Sequence, residues 1–261
     1  MNGEQLDPWA IRTADPELLA NWRIICLAET QSTSDVVRRF AVRRHNSFLA
    51  VFADWQSAGR GQAGRHWVAP PGLGLLGTTL WHPKIDPGEL QHVVQAAGMA
   101  VVDAFACLDV LVRLKWPNDI VIAGAKCGGI LVESVFDDGE VQFVSIGIGL
   151  NILQSEFELP PVSYPATSIR LATGRIISRT KLAARLLRAL EYRIQQMTKD
   201  PGRLLMEWSG ALVTIGQLVR ISTSEGIIRG TAVSVRPNGG LVVRSRGGRE
   251  SAVLNGEVLP D

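Results

Sequence analysis

The sequence predicts an α+β body followed by a small C-terminal β-barrel of the SH3-like kind. Three observations carry that prediction. Buried-looking strands of 7 to 9 residues and two long amphipathic helices are interleaved up to about residue 211. After about Leu212 the chain turns to short strand candidates separated by turn signals. The length, 261 residues, exceeds the roughly 150-residue norm for one domain, which leaves room for a body and a small companion. The expected division is a leader over residues 1–20, a body over 21–211 and a barrel over 212–261.

Residues 1 to about 20 are polar and interrupted by Pro8 and Pro16, and read as a leader packed on the body or partly loose. Strand-like Trp22 to Ala28 runs into Ser32-Thr33-Ser34-Asp35, which are helix-start residues. Val36, Val37, Phe40 and Ala41 then repeat at helical spacing. After the polar stretch Arg43 to Ser47, FLAVFADW (Phe48 to Trp55) is a buried strand, and Leu73 to Trp81 the next. Leu90, Val93, Val94, Ala97, Val101, Ala104, Phe105 and Leu108 mark a long helix. Val110–Leu114, Ile120–Ala123, Gly129–Phe136 and Val141–Ile148 read as strands, with Asp137-Asp138-Gly139 a hairpin turn. Leu182, Leu186, Leu187, Leu190, Ile194 and Met197 mark a second helix, which Pro201-Gly202 is expected to stop. Gln217–Ser222, Ile227–Val235, Leu241–Ser245 and Ser251–Leu254 supply the barrel strands.

Charge and cysteine usage narrow the function. There are 27 Lys and Arg against 25 Asp and Glu, a net +2, so nothing marks a polyanion-coating protein. The barrel's Arg220, Arg229, Arg236, Arg244, Arg246 and Arg249 are offset by Glu225, Glu250, Glu257 and Asp261, which favours a solvated face over an RNA surface. Cys26, Cys107 and Cys127 form neither a disulfide framework nor a zinc site, and fit a reducing, cytoplasmic setting. The uncharged stretch His66 to Pro83 is broken by prolines and glycines, so no membrane helix is expected there.

The chemistry sits in four places. The loop Gln56 to Trp67 formally satisfies G-x-G-x-x-G at Gly59, Gly61 and Gly64, but Pro70-Pro71-Gly72 follows where a dinucleotide fold needs a helix. What remains is a strand-end loop with open backbone amides, Arg60 and Arg65 for anions, and Trp67 as a flat face. A solvated Gly-rich turn is the plain alternative. Lys115-Trp116-Pro117-Asn118-Asp119 presents a cation, an amide and a carboxylate from a strand end, useful for a nucleotide with magnesium; alone it is also an ordinary β-turn. Lys126 stands beside Gly128-Gly129 just before a buried strand, and Asn151 ends the strand after Gly147-Ile148-Gly149. Either is also a plain strand-end residue. Cys127 reads as a small buried apolar residue. His45, His66, His82 and His92 lack ligand spacing, and G-x-x-x-x-G-K, G-x-S-x-G and H-E-x-x-H are missing.

In order and spacing, Ser32-Thr33, Gln56, Gly59-Arg60-Gly61, Gly64-Arg65, Trp67, Lys115 to Asp119, Lys126, Gly129-Ile130-Leu131 with Glu133, and Gly147 to Asn151 resemble the biotin protein ligases over about residues 25 to 255. The resemblance implies a class II synthetase-like mixed or antiparallel sheet with flanking helices. It implies biotin and ATP with Mg²⁺ as substrates and cofactor, biotinoyl-5'-AMP as intermediate, and the lysine of a biotin carboxyl carrier domain as acceptor. It assigns Ser32, Thr33, Ser34, Gln56, Gly61, Gln62, Ala63 and Lys126 to biotin, and Arg60, Arg65, Trp67, Lys115, Asn118, Asp119 and Asn151 to ATP. Lys126, Arg60 and Lys115 are the expected catalytic cations and Asp119 the expected magnesium carboxylate. Two residues depart from the family pattern: Ser34 stands where Asn is usual, and Gln62 where Arg is usual. Only about twenty residues precede the body, so no winged-helix DNA reader and no nucleic-acid or membrane partner is expected; the chain is a monomer or homodimer. The rivals are a lipoate ligase, which normally carries an Arg-Arg-x-Ser-Gly-Gly-Gly loop missing here, and a non-catalytic biotin-responsive module.

Overall fold

The computed structural model describes residues 4–15, 21–41, 48–159 and 164–259. The polar stretch Arg43 to Ser47, with His45, and the Pro16 end of the leader lie outside them.

The body is a seven-stranded sheet in the order β1-β2-β3-β7-β6-β5-β4. Strand β1 (Trp22–Thr30) runs parallel to β2 (Phe48–Gln56), because helix α2 (Thr33–Ala41) carries the chain back between them. All other neighbours are antiparallel: β3 (Gly74–Trp81), β4 (Arg113–Lys115), β5 (Asp119–Ile122), β6 (Ala125–Asp137) and β7 (Glu140–Asn151). The mixed sheet with flanking helices is the predicted architecture. Strand β4 is shorter than expected, since Val110 and Val112 are buried and Leu111 is exposed but all three lie outside the ladder, and β6 begins early enough to hold Lys126 within it.

Helices α3 (Leu90–Ala106), α5 (Arg179–Lys199) and α6 (Pro201–Ala211) share the main core with one face of the sheet, while short α4 (Ile169–Thr173) leads into α5. Arg193 joins three of them. Its guanidinium donates to Asp103 of α3 at 2.6 and 2.8 Å and to Glu207 of α6.

Two prolines also start helices, which the sequence does not predict. Helix α5 ends at Lys199, as Pro201-Gly202 predicts, but Pro201 then starts α6, and Pro8 starts α1 (Pro8–Ala14) inside the leader. In both, the preceding aspartate caps the helix: Asp7 accepts from the Ala10 amide at 2.8 Å and Asp200 from the Arg203 amide at 3.1 Å. Proline at the first helical position costs no hydrogen bond, because that amide has no intrahelical partner. Leu6 and Ile11 are buried in the main core, so this segment is packed. It is pinned by Asp54, which accepts from the Leu6 amide and pairs with buried Arg179 at 2.9 Å.

The second sheet has five strands in the order β11-β10-β9-β8-β12: β8 (Leu218–Thr223), β9 (Gly226–Val235), β10 (Leu241–Arg244), β11 (Glu250–Val253) and β12 (Glu257–Leu259). The sequence predicts four of these. The fifth, β12, is only three residues long, too short for a periodic signal. The two sheets are tied through Trp116, whose backbone amide donates to Thr214 Oγ1 at 2.9 Å and whose indole donates to the Gly239 carbonyl at 3.0 Å.

Candidate active site

A cavity of about 280 Å³ opens over β3, β7, β6 and β5, and the four sequence motifs converge on it. Its floor follows from strand register. Asp119, Gly129 and Gly149 lie side by side across β5, β6 and β7, as do Leu131, Gly147 and Thr78 across β6, β7 and β3. Opposed residues of an antiparallel pair share a face, so three glycines form a lane free of side chains. The Trp67 ring uses that lane. A Cβ at Gly149 would stand 2.6 Å from the ring, and one at Gly129 3.5 Å from it.

One end of the cavity is neutral and polar. Ser32, Thr33 and Ser34 open α2 and are buried at 2%, 3% and 6% exposure. Gln56 Oε1 accepts from the Thr33 amide at 2.7 Å and from Thr33 Oγ1 at 3.0 Å. Thr78 Oγ1 shares hydrogen bonds with Thr33 Oγ1 at 2.7 Å and Ser34 Oγ at 3.3 Å. Sequence reasoning missed Thr78, because a threonine in a strand carries the same signal whether it packs or binds.

The other end is charged. Arg60, Arg65, Lys115 and Lys126 all line it. The Gly-rich loop folds back on itself, with the Gly61 amide on the Arg65 carbonyl at 2.7 Å and the Trp67 amide on the Gly59 carbonyl at 2.9 Å. Arg60 pairs with Asp35 at 2.6 Å, Lys126 with Asp119 at 2.5 Å, and Arg65 with Glu257 of β12. Burial pushes the Lys115 ammonium below its ordinary pKa; Asp119 opposes that shift and Lys126 adds to it. Among the described residues, the buried indole N–H of Trp67 and Nε of Arg60 find no hydrogen-bond partner, which leaves both donors available.

Several expected residues are placed differently. Ala63 sits in a one-turn helix at φ 56, exposed and off the cavity wall, while its neighbours Gly61 and Gln62 line it. Asn118 and Asn151 reach the wall, but their amides are already engaged. Asn118 donates to the Ile130 carbonyl at 2.5 Å, and Asn151 donates to the Thr167 carbonyl at 3.1 Å while accepting from Gln154. Both therefore brace the strands that carry Lys126 and the glycine lane. Tyr164 and the Gly256–Val258 segment also line the cavity, contributed by a loop and by the short β12.

Cys127 is fully buried with its thiol pushed up to about 12 by burial, so it is inert at neutral pH, as the sequence suggests. Among the described residues no group of three or more His, Cys, Asp or Glu side chains gathers into a metal cage. Magnesium bound mainly by substrate phosphates needs only one or two protein carboxylates, so Asp119 fits that lesser role. Among the described residues, no helix is long and apolar enough to cross a membrane.

The chain is similar to known proteins in sequence and fold. A family model for the biotin/lipoate A/B protein ligases matches residues 26–151. A biotin–[acetyl-CoA-carboxylase] ligase of Mycobacterium tuberculosis is 32% identical over 248 residues, covering 92% of this chain and 90% of that protein. The bifunctional ligase/repressor BirA of Bacillus subtilis is 31% identical over 220 residues, 83% of this chain and 68% of that protein. The structure of the Aquifex aeolicus biotin protein ligase in complex with biotin and ATP superposes with a TM-score of 0.75 at 25% identity, covering 90% of this chain and 97% of that one. With identity of that order along most of both chains and the same fold beneath it, the chain belongs to the biotin/lipoate A/B protein ligase family.

Proposed function

We propose that the protein is an ATP-dependent biotin protein ligase that activates biotin as biotinoyl-5'-AMP and transfers it to a lysine of a biotin carboxyl carrier domain. The observation that carries this reading is one cavity with a neutral hydroxyl-and-amide cage at one end and four cations at the other. Biotin's ureido ring offers N–H donors and a carbonyl acceptor, which Thr33, Ser34, Gln56 and Thr78 match without any charge. Lipoate's dithiolane has no such groups, so the cage would keep its internal hydrogen bonds and gain no polar contact from that ring.

The chemistry joins two anions. Biotin's carboxylate attacks the α-phosphorus of ATP, a P–O bond forms, and the bond to pyrophosphate breaks. Lys126, at the charged end, neutralises the carboxylate and the α-phosphate together. Its present partner, Asp119, would be released by substrate and would be the carboxylate to hold a magnesium ion, which would neutralise charge on the phosphates. Arg60 and Arg65 neutralise the phosphates, and Trp67 offers its face to adenine. In the second step the carrier lysine's neutral amine attacks the mixed anhydride and AMP leaves. The experiment is pyrophosphate release with biotin and with lipoate at equal concentrations. Release that depends on biotin supports the reading; release with lipoate alone overturns it.

A further inference from the structure

The four cations of the cavity are held in two different ways. Arg60, Arg65 and Lys126 are each paired with a carboxylate: Asp35, Glu257 and Asp119. Among the described residues, Lys115 makes no such ion pair. Its ammonium lies 3.5 Å from the centroid of the Tyr164 ring.

Tyr164 is itself fixed. Its hydroxyl donates to the Gly124 carbonyl at 2.9 Å. The next residues run along β6, where the Lys126 amide donates to the Pro165 carbonyl at 2.7 Å and the Thr167 amide to the Lys126 carbonyl at 2.8 Å. The ring is therefore mounted on the strand that carries Lys126, and it lines the same cavity. The two kinds of partner differ physically. A carboxylate cancels a cation's charge and must be displaced before a phosphate binds. An aromatic face holds the cation through its quadrupole and leaves the net charge in place.

We propose that Tyr164 is a positioning residue for the nucleotide, its ring holding the Lys115 ammonium over the cavity so that Lys115 meets the polyphosphate without first giving up a carboxylate. This rests on the adenylating function proposed above. Lys115 then supplies the uncompensated charge that draws the polyphosphate in, and the three paired cations exchange their carboxylates for phosphate afterwards.

The test compares Tyr164→Phe, Tyr164→Leu, Lys115→Met and the Tyr164→Leu/Lys115→Met pair in pyrophosphate release, with KM read separately for ATP and for biotin. Loss of the ring in Tyr164→Leu is expected to raise the ATP KM about tenfold while the biotin KM stays within about twofold. Tyr164→Phe keeps the ring and is expected to restore most of that affinity. In the Lys115→Met background, Tyr164→Leu is expected to add less than about twofold, because there is no cation left to hold. The proposal is overturned if Phe is as damaging as Leu, if both KM values rise together, or if the Leu effect persists without Lys115. Wild-type protein is run with biotin and with lipoate beside the variants. Turnover of lipoate alone would sink the biotin reading and leave the Tyr164 comparison intact with that acid. Calorimetric ATP binding gives the same ratios if neither acid is turned over.

Discussion

Replacing Lys126 with alanine tests the charge logic of the site. In the free protein the Lys126 ammonium sits 2.5 Å from Asp119, and the two side chains are 29% and 21% exposed. An ion pair with that access to water contributes on the order of 1 kcal/mol to folding, so the variant should unfold only a few degrees earlier. The reaction should suffer far more. Removing one preorganised donor from a developing charge costs about 2.7–4 kcal/mol, a factor of about 10²–10³. The loss also bares Asp119. A unit charge about 4 Å from another interacts with about 4 kcal/mol at an effective dielectric near 20, and here the sign is repulsive towards phosphate. We therefore expect kcat/KM for adenylation to fall by about 10³ in Lys126→Ala. Asp119→Asn leaves the cation in place and should lose only about tenfold, its share in meeting magnesium. Pyrophosphate release under saturating biotin reads both variants, and thermal melting reports the fold. Near-normal release in Lys126→Ala, or equal losses in the two variants, would refute the reasoning.

Three further predictions follow from other parts of the molecule. Gly149→Ala places a Cβ 2.6 Å from the Trp67 ring, so the ring must leave the sheet; at about 1–3 kcal/mol for such overpacking, the ATP KM should rise about tenfold or more while biotin binding holds, and an unchanged ATP KM would show that the ring's seat is irrelevant. Gln62 lines the cavity where the family usually has arginine, and a charge-assisted contact is worth about 1.5–3 kcal/mol against about half for a neutral one; Gln62→Arg should slow dissociation of labelled adenylate about tenfold, and equal dissociation would make Gln62 a neutral variation. Burial alone would raise the Glu207 carboxyl, but hydrogen bonds from Arg193, Arg203 and Gln196 outweigh it and hold the pKa at about 2; its stabilisation is therefore full above about 4.5 and lost as pH falls towards 2, so Glu207→Gln should melt earlier than wild type at pH 7 and the gap should narrow below about pH 4.5 and close towards pH 2.

What was legible in the sequence tracks what repeats along it. The strands FLAVFADW and VSIGIGLN and the helices through Val93 and Leu187 show their periods plainly, and all are present. The prolines were half legible because proline carries two meanings, breaker of a helix and starter after an aspartate cap. Asp200-Pro201 takes both, ending α5 and starting α6, and Asp7-Pro8 takes the second. The motif residues Arg60, Arg65, Lys115, Asp119 and Lys126 do meet in one cavity. Thr78, Tyr164 and Glu257 escaped notice because they reach it through register, a loop and a three-residue strand. Asn118 and Asn151 line the cavity as expected, and what the sequence does not show is that their amides also hold backbone carbonyls of the fold.

The central claim is that the neutral cage selects biotin and the cations activate it. The most direct measurement is mass spectrometry of the bound small molecule after a single turnover with ATP, biotin and lipoate in competition and no acceptor present. The account predicts biotinoyl-5'-AMP, bound at up to one equivalent and consumed when a carrier domain with its acceptor lysine is added. Lipoyl-AMP in its place, or no acyl-adenylate at all while pyrophosphate accumulates, would contradict it.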